Sequence, residues 1–367
     1  MADVSSQRTR TPVFLLTGFL GSGKTTVLNA LLKAPAFANT AVIVNEFGEI
    51  GLDHFLIEGS KDNVVLLEAG CLCCTISDSM HETMADLHAR RIRGDIPEFT
   101  RLVIETTGLA DPAPILNTLL GNRLVTDHYR FEAAIVTVDA QHVLDEIRSH
   151  AEVTRQIALA DRVLLTKTDL VKSTHDVLDA VRQINMTAPI IPSTSGSEAL
   201  TAFSPLLRNV TAKAAGSTAI VDGYVHDHDS HQVEHPLGEQ HPHDVNRHDD
   251  HIRAHCLTIE DPASWAGVAA WWMLMTEHLG NRLLRCKGVL RIADTGEIVF
   301  IQGVQRVFHR PERLADWPDT DHRSRIVCIA RDFDDAELLQ TLPAFQLPAG
   351  THPESALHDL QLRLAKL

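Results

Sequence analysis

One octet constrains this chain more than any other feature. Gly18-Phe19-Leu20-Gly21-Ser22-Gly23-Lys24-Thr25 follows the apolar run Val13-Phe14-Leu15-Leu16 and opens into Thr26, Val27, Leu28, Leu31 and Leu32 at helical spacing. The pattern G-x-x-x-x-G-K-[ST] between a strand and a helix is that of a phosphate-binding loop. Its glycines let successive backbone N–H groups converge on phosphate oxygens at the positive end of a helix. Lys24 supplies a charge to the β and γ phosphates, and the Thr25 hydroxyl can join a Mg²⁺ shell.

The surrounding sequence agrees with a sheet that can carry such a loop. Short apolar runs at Ala41-Val42-Ile43-Val44, Val64-Val65-Leu66-Leu67, Leu102-Val103-Ile104, Ala134-Ile135-Val136-Thr137-Val138, Val163-Leu164-Leu165 and Ile190-Ile191 alternate with longer helical patterns. Their continuous apolarity predicts strands covered on both faces, hence a mostly parallel α/β sheet. Beyond it, residues 222–255 carry nine histidines among many acidic residues and few large apolar ones, a composition that builds no core. The expected organisation is a nucleotide domain over 1–215, a histidine-rich linker over 216–254 and a smaller C-terminal α+β domain over 255–367. In that last part the patterns predict a strand from Cys256, a helix over 263–279 closed by Gly280, a hairpin around Asp294-Thr295-Gly296, a strand over 325–329 and a helix from Asp334. Trp265, Trp271, Trp272 and Met275 read as a core face, and Cys256, Cys286 and Cys328 as core residues.

Three further segments carry chemistry. Leu102-Val103-Ile104-Glu105-Thr106-Thr107-Gly108 reads as the second strand of a nucleotide site, with Glu105 near Mg²⁺ or the attacking water and Gly108 at the γ-phosphate. Thr166-Lys167-Thr168-Asp169 resembles the N-K-x-D guanine reader, with Thr where Asn is usual: the Asp169 carboxylate accepts from the guanine N1 and N2 donors, and the Lys167 stem covers the base. Ser193-Thr194 is a candidate second base-contacting loop. Gly70-Cys71-Leu72-Cys73-Cys74 offers two or three thiolates to Zn²⁺ or Cu(I), and its crowding argues against mutual disulfides and for a reducing compartment. Within Asn45-Glu46-Phe47-Gly48-Glu49-Ile50-Gly51-Leu52-Asp53, Glu49 is the preferred fourth ligand.

The balance of 33 Lys and Arg against 48 Asp and Glu, a net charge of −15 with the histidines neutral, excludes a nucleic-acid binder that relies on a broadly basic surface. No apolar run reaches the ~20 residues of a membrane span, and the polar start MADVSSQRTRTP lacks a signal-peptide pattern, so a cytoplasmic protein is expected.

Taken together, G-F-L-G-S-G-K-T-T, N-E-F-G-E-I-G-L-D, G-C-L-C-C, L-V-I-E-T-T-G-L-A-D-P, T-K-T-D and R-C-K-G-V-L followed by F-I-Q-G-V-Q resemble the CobW-type P-loop GTPases, a metallochaperone family that includes zinc-transferring chaperones. The resemblance implies a slow GTPase using GTP and Mg²⁺, whose nucleotide state is coupled to Zn²⁺ held by Cys71, Cys73 and Cys74 and delivered to a client metalloenzyme. It implies that Gly18, Gly21, Ser22, Gly23, Lys24, Thr25 and Thr26 bind phosphate and Mg²⁺, that Glu105 and Gly108 sense the γ-phosphate, and that Lys167 and Asp169 read guanine. Insertion of cobalt or another metal, and zinc buffering by a GTP-binding protein, are the alternatives within this reading. A phosphate-loop kinase is the rival outside it.

Overall fold

The computed structural model describes residues 10–44, 64–68, 76–194, 196–203, 252–318 and 320–354. The first sheet has seven strands: β1 Thr11–Gly18, β2 Thr40–Val44, β3 Val64–Glu68, β4 Arg101–Glu105, β5 Tyr129–Asp139, β6 Arg162–Thr166 and β7 Ile190–Pro192. They lie in the order β3-β2-β4-β1-β5-β6-β7, every pairing parallel. Eight α-helices join this half: α1 Lys24–Lys33, α2 Ile76–Arg93, α3 Ala113–Gly121, α4 Arg123–Thr126, α5 Val143–Ser149, α6 Ala151–Leu159, α7 His175–Ile184 and α8 Gly196–Ala199.

The apolar runs are continuous because both faces of the sheet are covered. Val13 and Leu15 pack with Met80, Met84 and Leu87 of α2, while their neighbours Phe14 and Leu16 pack with Val27, Leu28 and Leu31 of α1. The order places β1 centrally, with its phosphate loop flanked by the carboxyl ends of β4 and β5, where a parallel sheet opens a ligand crevice.

The C-terminal sheet is antiparallel: β8 Ile252–Ile259, β9 Leu283–Arg291, β10 Ile298–Val304, β11 Val307–Phe308, β12 Glu312–Leu314 and β13 Ser324–Arg331, in the order β11-β10-β9-β13-β8 with β12 beside β10. Helix α9 Trp265–Leu279 covers one face, capped at its start by the Ser264 hydroxyl and at its end by Gly280 at φ 56°. Trp271 is fully buried and its indole N–H donates to Thr341 Oγ1 at 2.8 Å, so truncating it to Ala removes about 3–5 kcal/mol of packing. The hairpin forms as expected, with Arg291 opposite Ile298.

Two expectations are corrected. Strand β8 begins at Ile252 rather than at Cys256 and so includes His255, whose Nδ1 lies 2.8 Å from Asp335 Oδ1. Cys256 is half-buried rather than core, because alternation along β8 puts Leu257 and Ile259 inward and Cys256 on the other face, whereas Cys286 and Cys328 are fully buried. The last helix forms where it is expected, α10 Asp335–Leu339: Asp334 and Glu337 close a capping box at its start, and a 3₁₀ turn at Leu342–Gln346 follows.

The two halves meet where α6 faces β9 and α7 faces β8, with Ile252, Leu284 and Ile329 packed into the core of the first half. Asp161, just before β6, accepts from Arg285 Nη2 at 2.8 Å, from Lys287 Nζ and from the Ala134 backbone N–H at 2.8 Å. Arg285 also donates to the Leu159 carbonyl. Burial alone would push the Asp161 carboxyl up, but Arg285 and Lys287 hold it well below the usual carboxylate range. Among the described residues no helix is long and apolar enough to cross a membrane.

Candidate active site

The phosphate loop is built by its glycines and pinned from below. Gly21 and Gly23 have φ of 72° and 93°, left-handed values that turn the chain from β1 into α1 with Gly23 as the N-cap. Gly18 lies so close to Thr137 of β5 that a Cβ there would collide with that residue's backbone and hydroxyl. The Ser22 side chain is buried beneath the loop, with its hydroxyl 2.7 Å from both the Phe19 carbonyl and Thr137 Oγ1. Ser22 therefore shapes the loop with its side chain. Lys24 reaches back over the loop, donating from Nζ to the Gly18 and Phe19 carbonyls at 2.9 Å each. Thr26 is exposed beside it on the first turn of α1.

Glu105, at the carboxyl end of β4, is buried and accepts from the Thr25 hydroxyl at 3.3 Å. A carboxylate and a hydroxyl at the mouth of a phosphate loop are the hard oxygen donors that Mg²⁺ takes, so these residues fit that ion. The following loop lies on the phosphate loop: a Cβ on Gly108 would sit 2.6 Å from Leu20 Cδ2 and 2.7 Å from Leu20 N. Gln156 of α6 holds the loop from behind, donating to the Gly108 and Ala110 carbonyls at 3.0 and 3.1 Å.

On the other flank, Thr166 ties the 166–169 loop to the phosphate loop. Its hydroxyl proton lies within reach of the Ser22 carbonyl at 2.9 Å and the Val138 carbonyl at 3.1 Å. Lys167 takes the left-handed conformation, φ 55°, and its Nζ donates to Asp139 Oδ2 at 2.6 Å. Burial would push the Asp139 carboxyl up, but hydrogen bonds from Lys167, His142 and the Gln141 backbone hold it down, so it stays an anion that anchors the lysine. Asp169 follows in a short 3₁₀ turn with its side chain exposed at the edge. Ser193 is buried, its N–H donating to the Leu165 carbonyl, and the Thr194 N–H is turned to Glu198.

The structure thus brings Gly18, Gly21, Ser22, Gly23, Lys24, Thr25, Thr26, Glu105 and Gly108 to one edge of the sheet, with Lys167 and Asp169 on its β6 flank. Glu49, Cys71, Cys73 and Cys74 lie outside the described residues. The strands before them are described, however: Val44 pairs with Glu68 and with Glu105, and Glu105 pairs with Leu16. Strands β2 and β3 therefore end at the edge of the sheet that carries the phosphate loop. Asp139 and Gln156 are supporting residues that sequence reading missed, and the tie from Thr166 to the Ser22 carbonyl is a role its motif did not indicate.

Residues 12–192 match the family described as CobW/HypB/UreG, nucleotide-binding domain, and residues 252–346 match the cobalamin synthesis protein CobW C-terminal domain. The zinc chaperone YjiA of Escherichia coli K12 is 31% identical over 307 residues, which is 83% of this chain and 88% of that protein. The zinc chaperone CobW of a Sinorhizobium species is 28% identical over 377 residues, covering 94% and 99% of the two chains. The crystal structure of Zn(II)-bound YjiA GTPase from E. coli shares the fold with a TM-score of 0.62, at 26% identity over 92% of this chain and 98% of its own.

Proposed function

The chain belongs to the CobW/HypB/UreG family of nucleotide-binding proteins, and from that premise we propose that it is a GTP-hydrolysing zinc metallochaperone of the cytoplasm. Lys24 and the loop N–H groups bind the β and γ phosphates and oppose the charge that builds up as the terminal phosphoryl group leaves. Thr25 and Glu105 would hold Mg²⁺, which when bound neutralises charge between the β and γ oxygens. Gly108 approaches the γ-phosphate and senses its presence. Asp169 accepts from guanine while the Lys167 stem, anchored on Asp139, lies under the base.

Zinc is the cargo in this reading. Cys71, Cys73 and Cys74 supply thiolates, Glu49 completes the set, and the histidines of segment 216–254 gather metal between a nucleotide domain over 1–215 and a C-terminal domain over 255–367. A γ-phosphate that orders the segment after β2 moves Glu49 toward the thiolates, and hydrolysis in contact with a client metalloprotein relaxes that geometry and releases the ion.

The observation that carries the proposal is the register Leu16–Glu105–Val44–Glu68. It sets the phosphate loop, Glu105 and the roots of both ligand-bearing segments on one edge, the outer two about 15 Å apart at ~4.8 Å per strand. Titration against a zinc-chelating dye, with GDP and with Mg²⁺ and a non-hydrolysable GTP analogue, tests it. Zinc should bind roughly 5- to 150-fold tighter with the analogue, a coupling of ~1–3 kcal/mol, and zinc should tighten analogue binding by the same factor. Replacing Cys71, Cys73 and Cys74 together by Ser should abolish the coupling and spare nucleotide binding. Equal zinc affinities in the two nucleotide states would sink the proposal.

A further inference from the structure

Gln156 sits in the middle of α6 with a relative exposure of 1%, a burial at which an uncharged apolar residue would be the simpler choice. Its carboxamide N–H₂ is fully used, one bond to the Gly108 carbonyl at 3.0 Å and one to the Ala110 carbonyl at 3.1 Å. Its other end is not: Oε1 is buried with no hydrogen-bond partner among the described residues. A glutamine retained only to satisfy the core would pair both ends, whereas this one keeps an unpaired acceptor in order to present two donors to a single loop.

The geometry of the peptide bond says what those two donors fix. In a planar trans peptide the C=O and the next N–H point in opposite directions. With the Gly108 and Ala110 carbonyls both turned to α6, the N–H groups of Leu109 and Asp111 are turned away from it. On the other side, Gly108 rests on Leu20 of the phosphate loop, and Leu109 is 54% exposed. The loop is thus gripped from behind by one side chain and faces the nucleotide edge in front.

We propose that Gln156 is a positioning residue of the GTPase reaction, setting the tilt of the Gly108–Asp111 loop and hence the discrimination between the triphosphate and the diphosphate. The inference rests on the reading of this site as a GTPase in which Gly108 meets the γ-phosphate. Gln156 acts through the loop backbone and does not touch the nucleotide. GDP, lacking the γ-phosphate, makes no use of the loop.

Two variants of the full chain test this. Gln156→Met keeps length and volume but presents no donor. It should lower kcat for GTP by about 10-fold, the value of roughly one buried hydrogen bond, and erase the preference for a non-hydrolysable GTP analogue over GDP, with GDP affinity within ~2-fold of the parent. Gln156→Glu provides a readout that packing alone does not move. Its carboxylate would face two carbonyl oxygens, and burial among them would raise its pKa. Activity relative to the parent should therefore be lowest near pH ~8 and recover toward pH ~6, as a neutral carboxyl regains one donor. A Met variant with parental kcat and parental analogue preference overturns the proposal, as does a Glu variant whose pH profile runs parallel to the parent. Should the Met variant fail to fold in a thermal melt, the pH profile of the Glu variant decides. A parent chain that does not hydrolyse GTP overturns the underlying reading instead, a result distinct from active variants in an active background.

Discussion

Gly108→Ala is the sharpest perturbation the nucleotide edge allows, because the structure states what the added methyl would meet. Its Cβ would lie 2.6 Å from Leu20 Cδ2, 2.8 Å from Leu20 Cγ and 2.7 Å from the Leu20 backbone nitrogen. The Leu20 side chain is 55% exposed and can rotate away. The backbone nitrogen cannot, because it belongs to the phosphate loop itself. Restoring ordinary contact at ~3.5 Å requires the two loops to part by roughly 0.8 Å. Overpacking of this kind costs about 1–3 kcal/mol of stability, and misplacement of a catalytic element by ~1 Å costs about 100-fold in rate. Single-turnover GTP hydrolysis by Gly108→Ala should therefore fall by about two orders of magnitude. GDP affinity, read with a fluorescent nucleotide, should change by less than ~3-fold, since GDP carries no group for Gly108 to meet. Gly94→Ala, just past α2 and away from the site, is the control: nothing lies within 4 Å of its Cβ, so it carries only the strain of a left-handed φ of 76°, about 1 kcal/mol. A fall in turnover for Gly108→Ala no larger than that for Gly94→Ala would refute the claim that the Gly108 contact aligns the site.

Lys24→Ala removes the cation that the Gly18 and Phe19 carbonyls hold over the loop, worth ~2–3 kcal/mol to the phosphates, so steady-state GTPase activity should fall at least roughly 30-fold. Asp169→Asn replaces an acceptor by a donor and should shift binding from GTP toward xanthosine triphosphate by ~1–3 kcal/mol, measured by nucleotide competition; a parent chain that binds ATP as tightly as GTP would remove the guanine assignment. His309 is buried beside Gly121, and burial together with Arg285 pushes its imidazole down to about 4. The unfolded chain therefore takes a proton near pH ~6.5 that the folded chain refuses, so this residue's contribution is lost as pH falls from ~6.5 to about 4 and amounts to about 3 kcal/mol. Urea unfolding of parent and His309→Phe across that range should show a flatter acid limb in the variant.

What could be read from the residues was what depends on neighbours in sequence. The run Val13–Leu16 needs no distant partner to declare a strand covered on both faces, and the octet from Gly18 declares its loop through spacing alone. Contacts across long separations left no such trace. The Thr166 hydroxyl finds the Ser22 carbonyl 144 residues away, and in sequence the residue is simply a Thr where Asn is usual. Gln156 is one polar residue in a helical pattern, and only the fold turns it inward onto carbonyls 48 and 46 residues upstream. Arg285 and Lys287 did offer a signal, two cations at i and i+2 inside a strand whose other interior residues are uncharged, which is how a strand presents charge to one face. Cys256 shows where residue type misleads: cysteine favours a core, but alternation with Leu257 assigns it to the opposite face of β8.

The ion cluster at Asp161 bears on how the two halves can move. It pins β9 to the amino end of β6, while the 166–169 loop leaves the carboxyl end of that same strand, five residues and ~16 Å away. Sliding one half along the other would require hydrating a buried carboxylate and guanidinium together, a cost of several kcal/mol. Rotation about the pin keeps those charges buried and is resisted instead by the apolar packing of Ile252, Leu284 and Ile329 on Val153, Ile157 and Val181. A 1 Å displacement at the nucleotide edge then corresponds to a swing of roughly 4° over that ~16 Å lever. A strand two places from β9, ~10 Å from the pin, moves by only ~0.6 Å. Any partner that reads the nucleotide through the C-terminal sheet must therefore do so by sensing orientation, and a probe pair set far from Asp161 will report the change that one placed beside it will miss.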